Sequence, residues 1–112
     1  MTYGQVLVAL ADPTRRALLE RMRRRPCTVG ELAAHAKIRQ PTVSQHLRVL
    51  RDAALVSDRR EGTRRYYSAS RQGLAELRRY VESLWDDVLE AYAAADPHPP
   101  VRRRRAKPRG KR

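Results

Sequence analysis

The segment PTVSQHLRVL, Pro41 to Leu50, constrains this chain more than any other stretch of it. Its proline suits the first turn of a helix, where the missing N–H has no intrahelical partner to lose. Val43, Leu47, Leu50 and Ala54 then fall at i, i+4, i+7 and i+11. At about 100° per residue they share one narrow stripe, which belongs in a core. The opposite arc carries Ser44, Gln45, Arg48 and Asp52, with Thr42 and His46 flanking it near the N-terminal end. Such a helix is covered on one side and offers paired hydrogen-bond donors and acceptors on the other.

The flanking sequence shows what surrounds it. Val6, Leu7, Leu10, Leu18, Leu19 and Met22 recur at helical spacings, broken by Asp12 as an N-cap with Pro13 at the first helical position, so two helices are expected to meet at Ala11. Pro26 ends the second. Thr28, with Glu31 three residues on, forms a capping box that opens a short helix to about His35. Beyond the central helix, β-branched and aromatic residues flank EGTR, whose Gly62 supplies a hairpin tip between strands expected at about residues 55–60 and 64–69. From Ser70 as its N-cap, a long helix should run to about Ala94. Leu74, Leu77, Val81, Leu84, Val88 and Ala91 alternate steps of three and four along it, a seam that needs a partner helix.

Charge narrows the partner. The net charge is +13, and 22 of the 25 basic residues are arginine, whose planar fork suits phosphates and base edges. Residues 1–69 carry a net +8, 70–95 a net −2 and 96–112 a net +7. The last segment has four prolines and one aliphatic side chain larger than alanine, so it is expected to be a disordered basic tail behind a single domain at 1–95. No apolar run approaches the roughly 20 residues a membrane span needs, no secretory signal is visible, and one cysteine cannot form an intrachain disulfide. A cytoplasmic location with no membrane partner is expected.

Two short helices joined by a tight turn, the second displaying polar groups at its N-terminal end, followed by a basic hairpin, make a winged helix-turn-helix. The expected fold is mainly α with a small β-hairpin: five helices plus a two-stranded wing. A major groove about 12 Å wide admits one helix, and paired donors and acceptors discriminate base edges there. Gln40, Thr42, Ser44, Gln45 and His46 are the candidates for that role, and Arg39 just before them is a further candidate DNA contact. Arg48 and Arg51 lie farther along, where phosphates are the expected partners. Arg59, Arg60, Thr63, Arg64 and Arg65 form a cationic wing tip suited to the minor groove, with Glu61 alone opposing the pattern.

The blocks LADPTRRALLERM, TVGELA, QPTVSQHLRVLRDAALV and REGTRRYYS, in this order and spacing, resemble the ArsR/SmtB-type bacterial transcriptional repressors over about residues 6–89. That resemblance implies a homodimer formed through the first and last helices. Val6, Leu7 and Leu10 would contribute from the first, and Leu77, Val81, Leu84, Trp85 and Val88 from the last. It also implies a repressor, often of its own operon, that binds a palindromic double-stranded operator through Gln40, Thr42, Ser44, Gln45 and His46. The sequence departs from the metal-sensing members. Thr28 and Gly30 stand where their paired cysteines lie, with Cys27 just outside, and the last helix carries Glu82, Asp86, Asp87 and Glu90 without a histidine. One thiolate does not hold a soft metal, so no metal and no cofactor is expected, and the effector is unknown.

Other features have plainer readings. Cys27 at a helix N-terminus would be an acidified, oxidant-sensitive thiol, or else it fills a small apolar gap. Trp85, Tyr80 and Tyr92 either line an effector pocket or pack an interface. Tyr66 and Tyr67 alternate sides of a strand, so one faces the domain. No nucleophile is paired with a base and no phosphate loop is present, so an enzyme is not expected. The competing function is an architectural nucleic-acid-binding protein without sequence preference, which uses the same charge.

Overall fold

A computed structural model describes residues 2–95 of the chain. It comprises α1 (Tyr3–Ala11), α2 (Pro13–Arg24), α3 (Val29–Ala36), α4 (Gln40–Asp52), the strands β1 (Val56–Glu61) and β2 (Arg64–Ala69), and α5 (Arg71–Ala95). Five helices and one antiparallel hairpin are thus present, as expected. The described residues form two units, one ending at Tyr80 and one beginning at Val81. The second consists, in its described part, of the distal turns of α5, every residue of which is exposed. The basic segment expected to be disordered, 96–112, lies outside the described residues.

Local chemistry sets the boundaries of the first unit. Asp12 accepts from the amides of Thr14 and Arg15 at 2.7 and 3.1 Å, with Pro13 at the first position of α2. Two arginines of α2 satisfy the open carbonyls at the end of α1. Arg15 Nε donates to Ala9 at 2.8 Å and its Nη2 to Val8 at 3.1 Å, while Arg16 Nη1 donates to Leu10 at 2.7 Å. Thr28 and Glu31 exchange the two hydrogen bonds of a capping box at the start of α3. α3 ends at Lys37, whose backbone is left-handed at φ 60°, and Ile38 donates back to Ala33 at 3.2 Å.

The core joins these elements. Val6, Leu18, Met22, Leu32, Val43, Leu50 and Leu55 are all buried, so α1 to α4 and the root of the wing share one apolar centre. The α4 stripe holds as expected through Val43, Leu47 and Leu50, but it ends on Ala53 and not Ala54. Ala54 turns left-handed (φ 57°), its amide donates to Arg51 at 2.9 Å, and Leu55 donates to Leu50 at 2.9 Å, the two bonds of a Schellman termination.

The wing follows one residue later than expected on its first strand. Its register pairs Val56 with Ala69, Asp58 with Tyr67, and Glu61 with Arg64. The two-residue tip has positive φ at Gly62 (63°) and not at Thr63, the II′ pattern that matches the strands' twist. Cys27 and Tyr67 exchange backbone hydrogen bonds of 2.9 and 2.8 Å, tying the α2–α3 connection to β2. Ser70 Oγ then accepts from Gln72 at 3.3 Å where α5 begins.

Candidate nucleic-acid interface

α4 enters the site with its apolar stripe in the core and its other face open. Arg39, Gln40, Thr42, Ser44, Gln45, Arg48 and Arg51 are all exposed. The helix start is unusual within the first unit. Thr2, Asp12 and Thr28 each cap their helix with a side-chain oxygen, whereas Arg39, the residue before α4, makes no side-chain cap. The positive end of the α4 dipole therefore faces outward beside a cationic side chain, which favours an anion there.

His46 sits differently from its neighbours. It is half-buried, and Arg15 Nη1 donates toward its Nδ1 at 3.4 Å. A guanidinium can only donate, so any hydrogen bond across this contact runs from Arg15 to His46. Arg15 is itself held by two α1 carbonyls and by Asp12, 3.9 Å away. This link between α2 and the edge of α4 escaped sequence reasoning, because an arginine 31 residues away leaves no local pattern.

All five wing candidates, Arg59, Arg60, Thr63, Arg64 and Arg65, are exposed, but the wing is less uniformly cationic than its sequence suggests. Arg59 Nε donates to Glu61 at 3.0 Å and its guanidinium lies 5.7 Å from the Tyr66 ring centre. Asp58, not singled out from the sequence, accepts from Arg51 Nη1 at 3.5 Å and forms an ion pair with Arg65 Nε at 3.3 Å. Glu61 is therefore not the only acid on the wing. Tyr67 packs against the core and Tyr66 sits beside Arg59, the alternation expected of neighbours on a strand.

The remaining sequence expectations divide. Val6, expected at a dimer face, is 0 % exposed inside the protomer and is corrected to a core residue. Leu10 and Leu77 are half-buried against that same core. Leu7 is exposed, as are Tyr3 and Val8, which were not anticipated. Tyr3 stacks on Tyr80 with ring centres 4.1 Å apart and planes 7° from parallel. In the second unit Val81, Leu84, Trp85, Val88, Leu89 and Tyr92 are all exposed, Trp85 to 63 %.

Cys27 is not an acidified thiol. It precedes the N-cap Thr28, is only 2 % exposed, and donates to the Arg25 carbonyl at 3.3 Å. Burial pushes its thiol pKa up, with the Glu31 carboxylate adding to the shift. The packing reading is the one the structure supports. Among the described residues no three His, Cys, Asp or Glu side chains converge as a metal site requires, and no helix is long and apolar enough to cross a membrane.

Known proteins share this sequence pattern and fold. The model of the bacterial regulatory protein arsR family matches residues 12–58, the stretch from the α2 cap to the first wing strand. The HTH-type transcriptional regulator Rv2034 of Mycobacterium tuberculosis is 51% identical over 85 residues, 76% of this chain and 79% of that protein. The transcriptional repressor SdpR of Bacillus subtilis is 41% identical over 65 residues, 58% of this chain and 72% of that one. A homodimeric winged helix-turn-helix DNA-binding domain from Mycobacterium bovis, solved in solution, superposes with a TM-score of 0.61 at 32% identity and covers 79% of this chain and 82% of its own. The sequence identity and the fold shared with these relatives place the chain in the ArsR family of bacterial regulatory proteins, as a sequence-specific DNA-binding transcriptional regulator.

Proposed function

We propose that this regulator is a cytoplasmic repressor that binds a palindromic operator as a homodimer, with Gln40, Thr42, Ser44 and Gln45 of α4 reading base edges in the major groove. One observation carries this reading: the polar edge of α4 is exposed along its N-terminal turns while the opposite edge is buried, so the helix can be inserted without unpacking the domain. Arg39, Arg48, Arg51 and the wing arginines, with Thr63 at the tip, hold phosphates and the minor groove. His46 contacts a base or phosphate from the flank.

The dimer rests on two further observations. Leu7 and Val8 on α1, and Leu84, Trp85 and Val88 on the distal part of α5, are large apolar side chains left in solvent, which a second copy of the chain would cover. The relative from Mycobacterium bovis is itself homodimeric. Two recognition helices related by a two-fold axis reach successive major grooves about 34 Å apart. In this reading the folded domain occupies 1–95, and the basic segment 96–112 adds sequence-independent phosphate attraction.

Footprinting on the DNA upstream of the chain's own gene tests it. Two protected half-sites with centres one helical turn apart are expected. With about eight phosphates contacted, a fourfold rise in salt should weaken binding by on the order of 10^4. A single protected half-site, or uniform protection without sequence boundaries, would contradict the proposal; the latter would favour the architectural alternative.

A further inference from the structure

α4 and the wing border a small, open, mainly polar cavity of about 160 Å3, lined by Ser44, Leu47, Arg48 and Arg51 from the helix and by Arg65 and Tyr67 from β2. Asp58 of β1 stands beside it. One oxygen of this carboxylate lies 3.5 Å from Arg51 Nη1 and the other 3.3 Å from Arg65 Nε, so a single acid spans the recognition helix and the wing. The Asp58 side chain is 22 % exposed, against 49 % and 43 % for its two partners. Register explains why it can do this. Tyr67 spends its amide and carbonyl on Cys27, so its pairing with Asp58 is a non-hydrogen-bonded one, in which side chains stand close together on one face of the hairpin.

We propose that this cavity is the seat of one phosphate of the DNA backbone, and that Asp58 is the positioning residue that holds Arg51 and Arg65 around it. The inference rests on the DNA-binding reading above and deepens it. Three guanidinium groups, less one carboxylate, leave a net charge of about +2 facing a monoanionic phosphodiester. The planar arginine fork donates two parallel bonds to such an oxygen pair. Unrestrained, Arg51 and Arg65 would each lose rotamer freedom on binding; tied to Asp58, they have already lost part of it. The seat also couples helix to wing, so that a phosphate bound there fixes the depth of both in their grooves.

Two effects of Asp58 oppose each other, and this makes the inference testable by sign. As a bare negative charge it repels DNA, and its removal would tighten binding. As a positioning group it preorganises two phosphate contacts, and its removal weakens binding. Screening over about 8 Å at physiological salt confines the first effect to the nearest phosphates, so the second is expected to dominate. Glu61 supplies the control. It pairs with Arg59 at 3.0 Å on the opposite face of the hairpin, so its removal deletes the same charge without touching the cavity.

The experiment measures equilibrium binding of the full chain and of its Asp58→Asn, Glu61→Gln and Arg65→Lys variants. Each is titrated against its own upstream duplex and a random duplex of equal length, over a series of salt concentrations. Asp58→Asn is expected to weaken binding to both duplexes about tenfold and to lower the salt slope by about 1, as loss of a phosphate contact does. Glu61→Gln should bind as tightly as the parent or a few-fold tighter. Arg65→Lys, which keeps the charge on an exposed side chain and loses only the fork, should weaken binding several-fold. Asp58→Asn binding as tightly as the parent or tighter, or Arg65→Lys binding unchanged, overturns the seat while leaving DNA recognition by α4 intact. A parent chain that binds neither duplex overturns the DNA reading, and the seat with it.

Discussion

Gly73 donates its amide to the carbonyl oxygen of Ala54 at 2.7 Å, so the first turn of α5 rests directly on the left-handed residue that terminates α4. Contact is so close that a Cβ on Gly73 would lie 2.4 Å from the Ala53 carbonyl oxygen, with two Ala54 backbone atoms inside 3.0 Å. The recognition helix and the start of the last helix thereby share a backbone junction.

Gly73→Ala should therefore destabilise the fold, because the obstacle is backbone and cannot rotate away. Overpacking of this kind costs about 1–3 kcal/mol, against which alanine's better helix propensity returns about 1 kcal/mol. A net loss of up to about 2 kcal/mol in urea unfolding is expected. An unchanged midpoint would show that the junction relaxes freely.

Ala54→Gly should act in the opposite direction. Alanine at φ 57° carries a left-handed penalty of roughly 1–2 kcal/mol that glycine does not, offset in part by the unfolded-state entropy glycine adds. A gain of about 0.5–1 kcal/mol is expected, read as a raised urea midpoint at constant slope. A lowered midpoint would contradict it.

Much of the fold was legible in the sequence where local chemistry decides it. Asp12 with Pro13, Thr28 with Glu31, and the Val43, Leu47 and Leu50 stripe announce three helices, and Gly62 announces the hairpin. What escaped depends on tertiary choice. In α1 the run Val6, Leu7, Val8 contains no polar residue to orient it, so only packing decides that Val6 turns inward while Leu7 and Val8 turn out. Ala54 ends α4 without the glycine that usually signals a left-handed stop. The exposure of Ser44 and Gln45 was legible from the stripe opposite them, whereas the roles of Asp58 and Arg15 were not, since cross-strand register and a helix crossing bring their partners to them.

Acid should unfold the protein partly through its caps. The Arg15 amide bound to Asp12, and the Thr28 amide bound to Glu31, hold both carboxyls below the usual carboxylate range. Groups depressed in the folded state contribute stability that is complete above their unfolded pKa values and is lost as pH falls through the folded ones. The thermal midpoint should thus be flat above about pH 5 and fall steeply below about pH 4. In the Asp12→Asn, Glu31→Gln double variant the fall should be shallower. Parallel curves for the two proteins would rule out this contribution.

Cys27 should be protected from alkylation. With the thiol 2 % exposed and its pKa raised, labelling by iodoacetamide at pH 8 requires opening of the α2–α3 connection. The folded chain should react at least about 100-fold more slowly than the same chain in urea, the factor imposed by an opening free energy of roughly 3 kcal/mol. Comparable rates would mean that the thiol is reached without opening.

Base reading by the exposed edge of α4 is tested most directly by the affinities of the parent chain and of Gln45→Ala for the operator duplex and a random duplex, at about 0.15 M salt. The parent should prefer the operator by at least about 10^3. Gln45→Ala should lose about 10- to 100-fold on the operator, the 1–3 kcal/mol of one bidentate base contact, and stay within about twofold on random DNA. Equal affinity of the parent for both duplexes, or an equal loss on both in Gln45→Ala, would contradict recognition through this helix.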